Sequence, residues 1–147
     1  MELRMLDQAA AMAGYTVYRD CMYQPTPEKY AAKMQRYLLD PRIKVYGGFA
    51  NGTLCGMLVL RLDPAATGEL VGIAVDAACR KRGLGRAMIH AVIKRHGLRV
   101  LVAETDDDAV GFYQNCGFCV HRFEENFGND TAVRYHCVLR VDLGKEA

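Results

Sequence analysis

The stretch VDAACRKRGLGRAMIHAVIKRHG, from Val75 to Gly97, joins an apolar strand to a helix through a short basic turn. The preceding residues, ELVGIAV, are nearly all apolar, which is typical of a strand buried on both faces. The following run from Leu84 to His96 has helical spacing, and glycine is a common residue just after a helix. A strand, a turn and a helix in this order indicate an α/β unit.

The turn itself has the features of an anion site. Gly83 and Gly85 stand where the backbone must turn tightly or approach a ligand closely. The first N–H groups of a helix have no partner inside the helix and carry roughly half a positive charge in sum, so a phosphate suits this end. The cations of the turn are Arg80, Lys81, Arg82 and Arg86. We therefore predict phosphate binding, with an ordinary strand-to-helix turn as the alternative.

Two other phosphate-binding motifs do not fit the sequence. A P-loop needs the string G-x-x-x-x-G-K-[ST], which does not occur. A dinucleotide fingerprint needs G-x-G-x-x-G, and Met88 stands where its third glycine belongs. Nucleoside triphosphate and dinucleotide binding are therefore less favoured.

Hydrophobic spacing along the rest of the chain predicts alternating strands and helices, with a hairpin turn at Asn51–Gly52. The predicted strands are Met1–Met5, Ile43–Ala50, Thr53–Leu62, Glu69–Val75, Arg99–Glu104, Phe118–Phe127 and Thr131–Val141. The predicted helices are Gln8–Met22, Pro27–Leu39, Leu84–His96 and Asp106–Cys116. We expect an α/β fold (α+β in some schemes), in which one domain over residues 1–147 has a mixed sheet of six to seven strands with helices on both faces.

The charge and composition exclude several classes of function. A formal net charge of +2 is too balanced for a generic nucleic-acid binder, whose affinity would depend on many phosphate contacts. The N-terminus lacks the pattern of a signal peptide, and no run approaches the roughly 20 apolar residues of a membrane span. We expect a cytoplasmic protein that binds neither nucleic acid nor membranes.

The six cysteines lack the spacing of a disulfide scaffold, and a reducing compartment would keep them as thiols. A zinc site is the less favoured alternative, since a helix end and a strand start separate its first two ligands. Its ligands would be Cys116, Cys119, His136 and Cys137. We therefore expect no metal.

Two motifs in register carry a resemblance to a known family. The first is Arg80-x-x-Gly83-x-Gly85 after a buried strand, and the second is AVGFYQNCGF, from Ala109 to Phe118. Together they resemble the GNAT N-acetyltransferase superfamily. The resemblance implies an acetyl-CoA-dependent N-acetyltransferase domain that acts on a primary amine of a small molecule or a protein, by direct transfer in a ternary complex.

The resemblance also assigns the residues that bind the donor. The pantetheine arm would pair with the strand at Ile73 and Val75, and an N–H near Ile73 would polarise the thioester carbonyl. The family often has asparagine where this chain has Asp106, so that contact with the cofactor is altered. The pyrophosphate would bind the backbone N–H groups of Lys81, Arg82, Gly83, Leu84, Gly85 and Arg86, in the field of Arg80.

Two residues match the catalytic positions of the family. Tyr113 would protonate the departing CoA thiolate, because its ordinary pKa near 10 keeps it protonated at neutral pH. Glu69 would be the base, with a water chain as the alternative. In a regular strand Glu69 would share a face with Ile73, so a bulge near Gly72 or a frayed start of the strand is needed to free it.

The acceptor is the least determined part of this prediction. Candidate residues that would attract a cationic amine or neighbour it are Asp63, Glu104, Glu124, Glu125, His121, Tyr135 and Tyr46. Two alternative functions stay open: a non-catalytic acyl-CoA-binding or acyl-CoA-sensing module, and a nucleic-acid contact through the basic turn. Self-association into a homodimer also stays open.

Overall fold

The computed structural model describes residues 1–141, which form a seven-stranded sheet in the order β1-β2-β3-β4-β5-β7-β6. The strands are β1 (Glu2–Met5), β2 (Ile43–Ala50), β3 (Thr53–Asp63), β4 (Thr67–Val75), β5 (Val100–Thr105), β6 (Cys119–Phe127) and β7 (Asp130–Arg140). The helices are α1 (Gln8–Met12), α2 (Tyr15–Tyr18), α3 (Pro27–Leu39), α4 (Leu84–His96) and α5 (Val110–Asn115). This mixed α/β arrangement confirms the predicted fold class; the last residues of the predicted domain, 142–147, lie outside the described residues.

The hairpins arise where the sequence predicts them. Asn51 and Gly52 have φ angles of +52° and +79°, which a tight β2–β3 turn requires. Gly128, with φ +61°, lies in the turn between β6 and β7. Strands β4 and β5 pair in parallel and are connected through α4, as the strand–helix–strand pattern predicts.

Helices cover both faces of the sheet because successive residues of β3 point to opposite sides. Met57 and Val59 pack in one core with residues of α1, α2 and α3. Leu58 and Leu60 pack in a second core with residues of α4 and α5. The two cores meet only through the sheet, so we call its sides the α1–α3 face and the α4–α5 face.

The prediction of one helix from Gln8 to Met22 is wrong in detail. The helix ends after Met12, and α2 and a 3-10 turn follow. Gly14 separates the two helices and lies against Met57 and Tyr30, so closely that a Cβ atom at this position would collide with both. Close packing on β3 therefore breaks a segment that helical spacing alone would continue.

The predicted start of α5 also needs correction. The helix begins at Val110, so the three aspartates precede it and do not form its first turn. Asp106 accepts hydrogen bonds from the N–H groups of Asp108 and Ala109, each 3.1 Å long. Aspartate competes with helix formation by bonding backbone two or three residues ahead, which explains the later start.

Strand β4 contains the bulge that the sequence predicts. Val59 pairs with Gly72 and Leu60 pairs with Leu70, so Val71 is the extra residue of β4. One extra residue reverses the alternation of faces from that point on. The α1–α3 face therefore receives Glu69 as well as Gly72, and Ile73 lies on the opposite face.

Tyr18 occupies the space that Gly72 leaves open. Tyr18 is only 2% exposed, and a Cβ atom built on Gly72 would collide with its hydroxyl and come within 2.7 Å of its Cζ atom. Glycine is therefore required here by close packing and not by a positive φ angle.

We predict that Gly72→Ala lowers the free energy of unfolding by about 1–3 kcal/mol, because the ring of Tyr18 or the bulge must move. The matched control is Gly111→Ala in the first turn of α5, where a Cβ would meet nothing within 4 Å. That change should raise the free energy of unfolding by about 0.5–1 kcal/mol, the usual helix preference for alanine. Denaturant unfolding measures both values, and equal shifts in the two variants would contradict the Tyr18 contact.

Candidate active site

Strands β4 and β5 separate after a short parallel pairing and leave a cleft between them. Their pairing covers only Thr67–Glu69 and Val100–Val102. Beyond it, β4 from Val71 to Val75 lines an open cleft of about 1000 Å³ together with Glu104 and Thr105 of β5. The backbone of this half of β4 has no β5 partner, so an extended ligand can lie along it.

The glycine turn lies at the end of this cleft in a conformation suited to an anion. Lys81 and Gly83 have left-handed φ angles of +67° and +72°, with Arg82 between them at a negative φ. Alternation of this kind directs successive backbone N–H groups into one concavity. Gly83 is the N-cap of α4 and supplies no side-chain acceptor, so the first N–H groups of α4 can bind a ligand.

The second glycine of the turn serves packing between helices. A Cβ atom on Gly85 would come within 2.9 Å of the Phe112 ring and 3.7 Å of Val75. Gly85 therefore lets the start of α4 lie against α5, while its backbone still borders the cleft. This contact joins the two sequence motifs directly.

Arg80 has partners within the protein. Its Nε donates to the Val75 carbonyl at 3.1 Å, and its guanidinium forms an ion pair with Asp20 at 2.6 Å. Both partners border the cleft. Arg80 therefore links the turn, the end of β4 and the 3-10 turn after α2, and the net positive charge at the turn comes mainly from its neighbours.

Tyr113 borders the cleft from the α4–α5 face. It is 6% exposed, and the rings of Phe112 and Phe118 pack edge-on against it with centroids 5.3 Å away. Burial raises the pKa of Tyr113 well above its ordinary value. The hydroxyl therefore stays protonated throughout the neutral range and can act as a hydrogen-bond donor there.

Cys21 lies across the cleft from Tyr113, a position that the sequence did not indicate. Its thiol donates to the Tyr18 carbonyl at 3.3 Å. Burial raises the pKa of the Cys21 thiol to about 11, although the Ile73 N–H near the sulfur opposes this rise. Ile73 itself borders the cleft.

Glu69 lies outside the set of residues that border the cleft. It forms an ion pair with Arg61 at 2.7 Å on the α1–α3 face. The hydroxyls of Tyr37 and Tyr18 lie near one another, with Tyr37 close enough to Glu69 and Tyr18 close enough to Cys21 for these groups to influence the pKa values of the two tyrosines. Burial raises the pKa of both tyrosines, so this chain of hydroxyl groups is neutral.

The other predicted residues fall into two groups. The first group borders the cleft and consists of Ile73, Val75, Lys81, Gly83, Leu84, Gly85, Arg86 and Asp106. The second lies outside its lining and consists of Arg82, Asp63, Glu124, Glu125, His121, Tyr135 and Tyr46. Among the acidic acceptor candidates, Glu104 borders the cleft. The cleft is also bordered by three charged residues that no sequence pattern indicated as acceptor-site residues: Asp20, Asp108 and Arg134. Asp20 comes close through the fold of a distant segment, so local spacing carried no signal for it.

Two further observations concern metals and membranes. Within residues 1–141, the structure groups no three His, Cys, Asp or Glu side chains as metal ligands would be grouped. Over the same residues, every helix is too short or too polar to cross a membrane.

The fold and the cleft define a class of α/β proteins that bind an extended, phosphate-bearing ligand between two separated parallel strands. Residues 11–118 match the Acetyltransferase (GNAT) family. The chain therefore belongs to the GNAT family, as its two motifs predict.

The similar proteins are acetyltransferases of bacteria. The uncharacterized N-acetyltransferase YvbK of Bacillus subtilis (strain 168) is 28% identical over 92 residues, which span 58% of this chain and 59% of that protein's length. A ribosomal-protein-alanine N-acetyltransferase from Brucella melitensis has a similar fold with a TM-score of 0.70 at 15% identity, over 96% of this chain and 100% of that one.

Two further solved structures share the fold. A GNAT family acetyltransferase from Elizabethkingia anophelis with acetyl-CoA bound has a TM-score of 0.67 at 18% identity, over 95% of this chain and 97% of that one. A putative GNAT acetyltransferase from Desulfovibrio desulfuricans reaches 0.72 at 20% identity, over 96% and 98%. At these identities the likeness shows the fold alone.

The left-handed backbone of the turn leads to a test. Lys81→Gly should raise the free energy of unfolding by about 0.5–1 kcal/mol, since glycine adopts a φ of +67° without the cost that a side chain has there. The control Arg82→Gly, at a negative φ, should lower it through the greater freedom of the unfolded chain. Denaturant unfolding distinguishes the two signs, and destabilisation by both substitutions would contradict this geometry.

Proposed function

We propose that the protein transfers the acetyl group of acetyl-CoA directly to a primary amine, with donor and acceptor bound together in the cleft. The observation that carries this proposal is the half of β4 whose edge towards β5 has no partner strand. It runs from the glycine turn past the Ile73 N–H, with Tyr113 also bordering the cleft. One extended donor can therefore contact a pyrophosphate site, a strand edge and a proton donor.

The donor's two ends would bind by different means. Its pyrophosphate would accept hydrogen bonds from the backbone N–H groups of the turn, where Lys81 and Arg86 add positive charge. Its pantetheine arm would pair with β4 at Ile73 and Val75 as an added strand would. The acetyl-CoA-bound relative from Elizabethkingia anophelis, which has the same fold, supports this choice of donor.

The transfer would follow from groups already beside the acetyl end. The neutral amine attacks the thioester carbon, and the Ile73 N–H stabilises the negative charge on the carbonyl oxygen. The new C–N bond replaces the C–S bond, the nitrogen loses a proton, and the CoA sulfur leaves as a thiolate. Tyr113 would hydrogen-bond to that sulfur and supply a proton to it, and would take a proton back from solvent so that the phenol is restored.

The proton lost by the amine would leave through the hydroxyl groups of the α1–α3 face. Because Glu69 stands outside the cleft, it would receive the proton through Tyr18 and Tyr37, each hydroxyl passing one proton on while accepting another. A chain of waters in the cleft is the alternative route. Neither tyrosine needs to ionise in such a relay, which agrees with their raised pKa values.

Acetyl-CoA with a panel of primary amines tests the transfer, with thiol release and the product mass as measurements. Thiol release with an acetylated amine as product supports the proposal. A protein that binds acetyl-CoA but acetylates no amine would instead be an acyl-CoA-binding module.

Tyr113→Phe should lower kcat about 100-fold and leave acetyl-CoA binding nearly unchanged, since only the proton donor is removed. The raised pKa of Tyr113 also means that the wild-type rate should not decline between pH 7 and 9 through ionisation of this group. The control is Tyr15→Phe, which removes the hydroxyl of a tyrosine that packs against Tyr30 on the α1–α3 face and lies outside the lining of the cleft. Equal rates for the two variants would exclude the proposed role of Tyr113.

Glu69→Gln should lower the rate about 100-fold below the pKa of the amine and move the rise in activity to higher pH, because the amine must then lose its proton to solvent. Arg61→Gln breaks the same ion pair but keeps the carboxylate, so its pH profile should keep the wild-type shape. If both variants lose activity equally with the wild-type profile, Glu69 has a structural role and the water chain is the route.

A further inference from the structure

A second groove, which we call the α3 groove, runs along the outer side of α3. It has a volume of about 610 Å³ and is bordered by Met22, Tyr23, Lys29, Lys33, Arg36 and Leu39 among others. Tyr23 is 85% exposed and Leu39 is 84% exposed, at the two ends of the groove. Two large apolar side chains exposed on one groove are more than the scattered exposure of an ordinary surface.

The charges of the α3 groove have one sign. Lys29, Lys33 and Arg36 border it, and its lining includes no acidic side chain. The Lys29 Nζ donates to the Gln24 carbonyl at 2.9 Å, which holds this ammonium beside the loop that follows α2. Three cations without an intervening carboxylate attract an anionic partner and repel a cationic one.

The α3 groove is continuous with the cleft. Met22 and Tyr23 border both, so a chain that leaves the cleft at this side enters the groove directly. A small amine would bind in the cleft without reaching α3. A polypeptide with one amine in the cleft would extend from the cleft along the α3 groove. The cations therefore lie where the rest of a protein acceptor would pass.

The spacing of the cations fits an extended peptide. Positions 29, 33 and 36 advance by about 6 Å and then about 4.5 Å along a helix. Alternate residues of an extended chain lie about 6.6 Å apart. Acidic side chains at alternate positions of a peptide can therefore meet successive cations, with Tyr23 and Leu39 providing apolar contacts at the ends.

From these features we infer that the α3 groove docks an acidic polypeptide segment that belongs to a protein acceptor. That this segment belongs to an acceptor rests on the proposed acetyl transfer. The inference narrows the class of acceptor from any primary amine to a protein with acidic residues near the modified amine. Docking itself needs no acetyl-CoA, so it can be tested separately.

The test uses fluorescence anisotropy with labelled twelve-residue peptides that carry a free N-terminal amine. One peptide has glutamate at alternate positions and two leucines, and the other replaces every glutamate by glutamine. The acidic peptide should bind at least about tenfold more tightly at low salt, and the difference should shrink as salt screens the charges.

Charge reversal assigns the binding to the α3 groove. The triple variant Lys29→Glu, Lys33→Glu, Arg36→Glu should lose about tenfold or more in affinity for the acidic peptide. The control Lys94→Glu, Arg99→Glu, Arg140→Glu makes the same change in net charge at three exposed cations that border neither groove nor cleft. It should keep at least about half of the wild-type affinity.

Three results would overturn the inference: equal binding of the two peptides, equal loss of affinity in the two triple variants, or equally tight binding of a single-stranded oligothymidylate, which would indicate a general polyanion surface.

A thermal-shift measurement with CoA separates failure of this inference from failure of the proposed function. If the wild-type protein binds CoA and acetylates a small amine, yet binds the two peptides equally, the proposed activity stands and the protein acceptor is lost. Peptide binding without any CoA binding would leave the docking surface and remove the acetyl transfer.

Discussion

The contact between Tyr18 and Gly72 is the constraint on which the cleft depends. A side chain at position 72 would collide with the Tyr18 ring, and the strand accommodates that ring beside a bulge at Val71. The bulge shifts the register of the last residues of β4 relative to the first ones, and the pairing of β4 with β5 ends at Glu69, before the bulge. A packing contact on one face of the sheet therefore accompanies the opening of the ligand site.

A second close contact ties the site together from the other face. Gly85 lets α4 lie against Phe112, and Phe112 in turn packs edge-on against Tyr113. The backbone that would hold a pyrophosphate and the hydroxyl that would serve the thiolate are thus connected through one aromatic ring. The two glycines of the phosphate-binding motif therefore differ in what they provide. Gly83 adopts the left-handed backbone conformation of the turn, and Gly85 allows close packing against Phe112.

Local patterns predicted most of the fold, because hairpin turns and apolar spacing act over a few residues, as at Asn51 and Gly52. What they could not predict depends on contacts between distant segments. Gly14 lies against Met57 of a distant strand, and Asp20, from a segment 60 residues away, forms an ion pair with Arg80 beside the site. The position of Glu69 depended on where the bulge falls, and the sequence showed the need for a bulge but not its hydrogen-bond register.

The bulge also separates the two proposed proton-transfer groups onto opposite faces of the sheet. Tyr113 belongs to the α4–α5 face, and Glu69 lies with Tyr18 and Tyr37 on the α1–α3 face. Acyl transfer needs this separation, because the amine loses its proton on one side of the reacting carbon while the thiolate departs on the other. An unbroken sheet would isolate the two faces from each other. The gap between β4 and β5 joins them at the point where the thioester would lie.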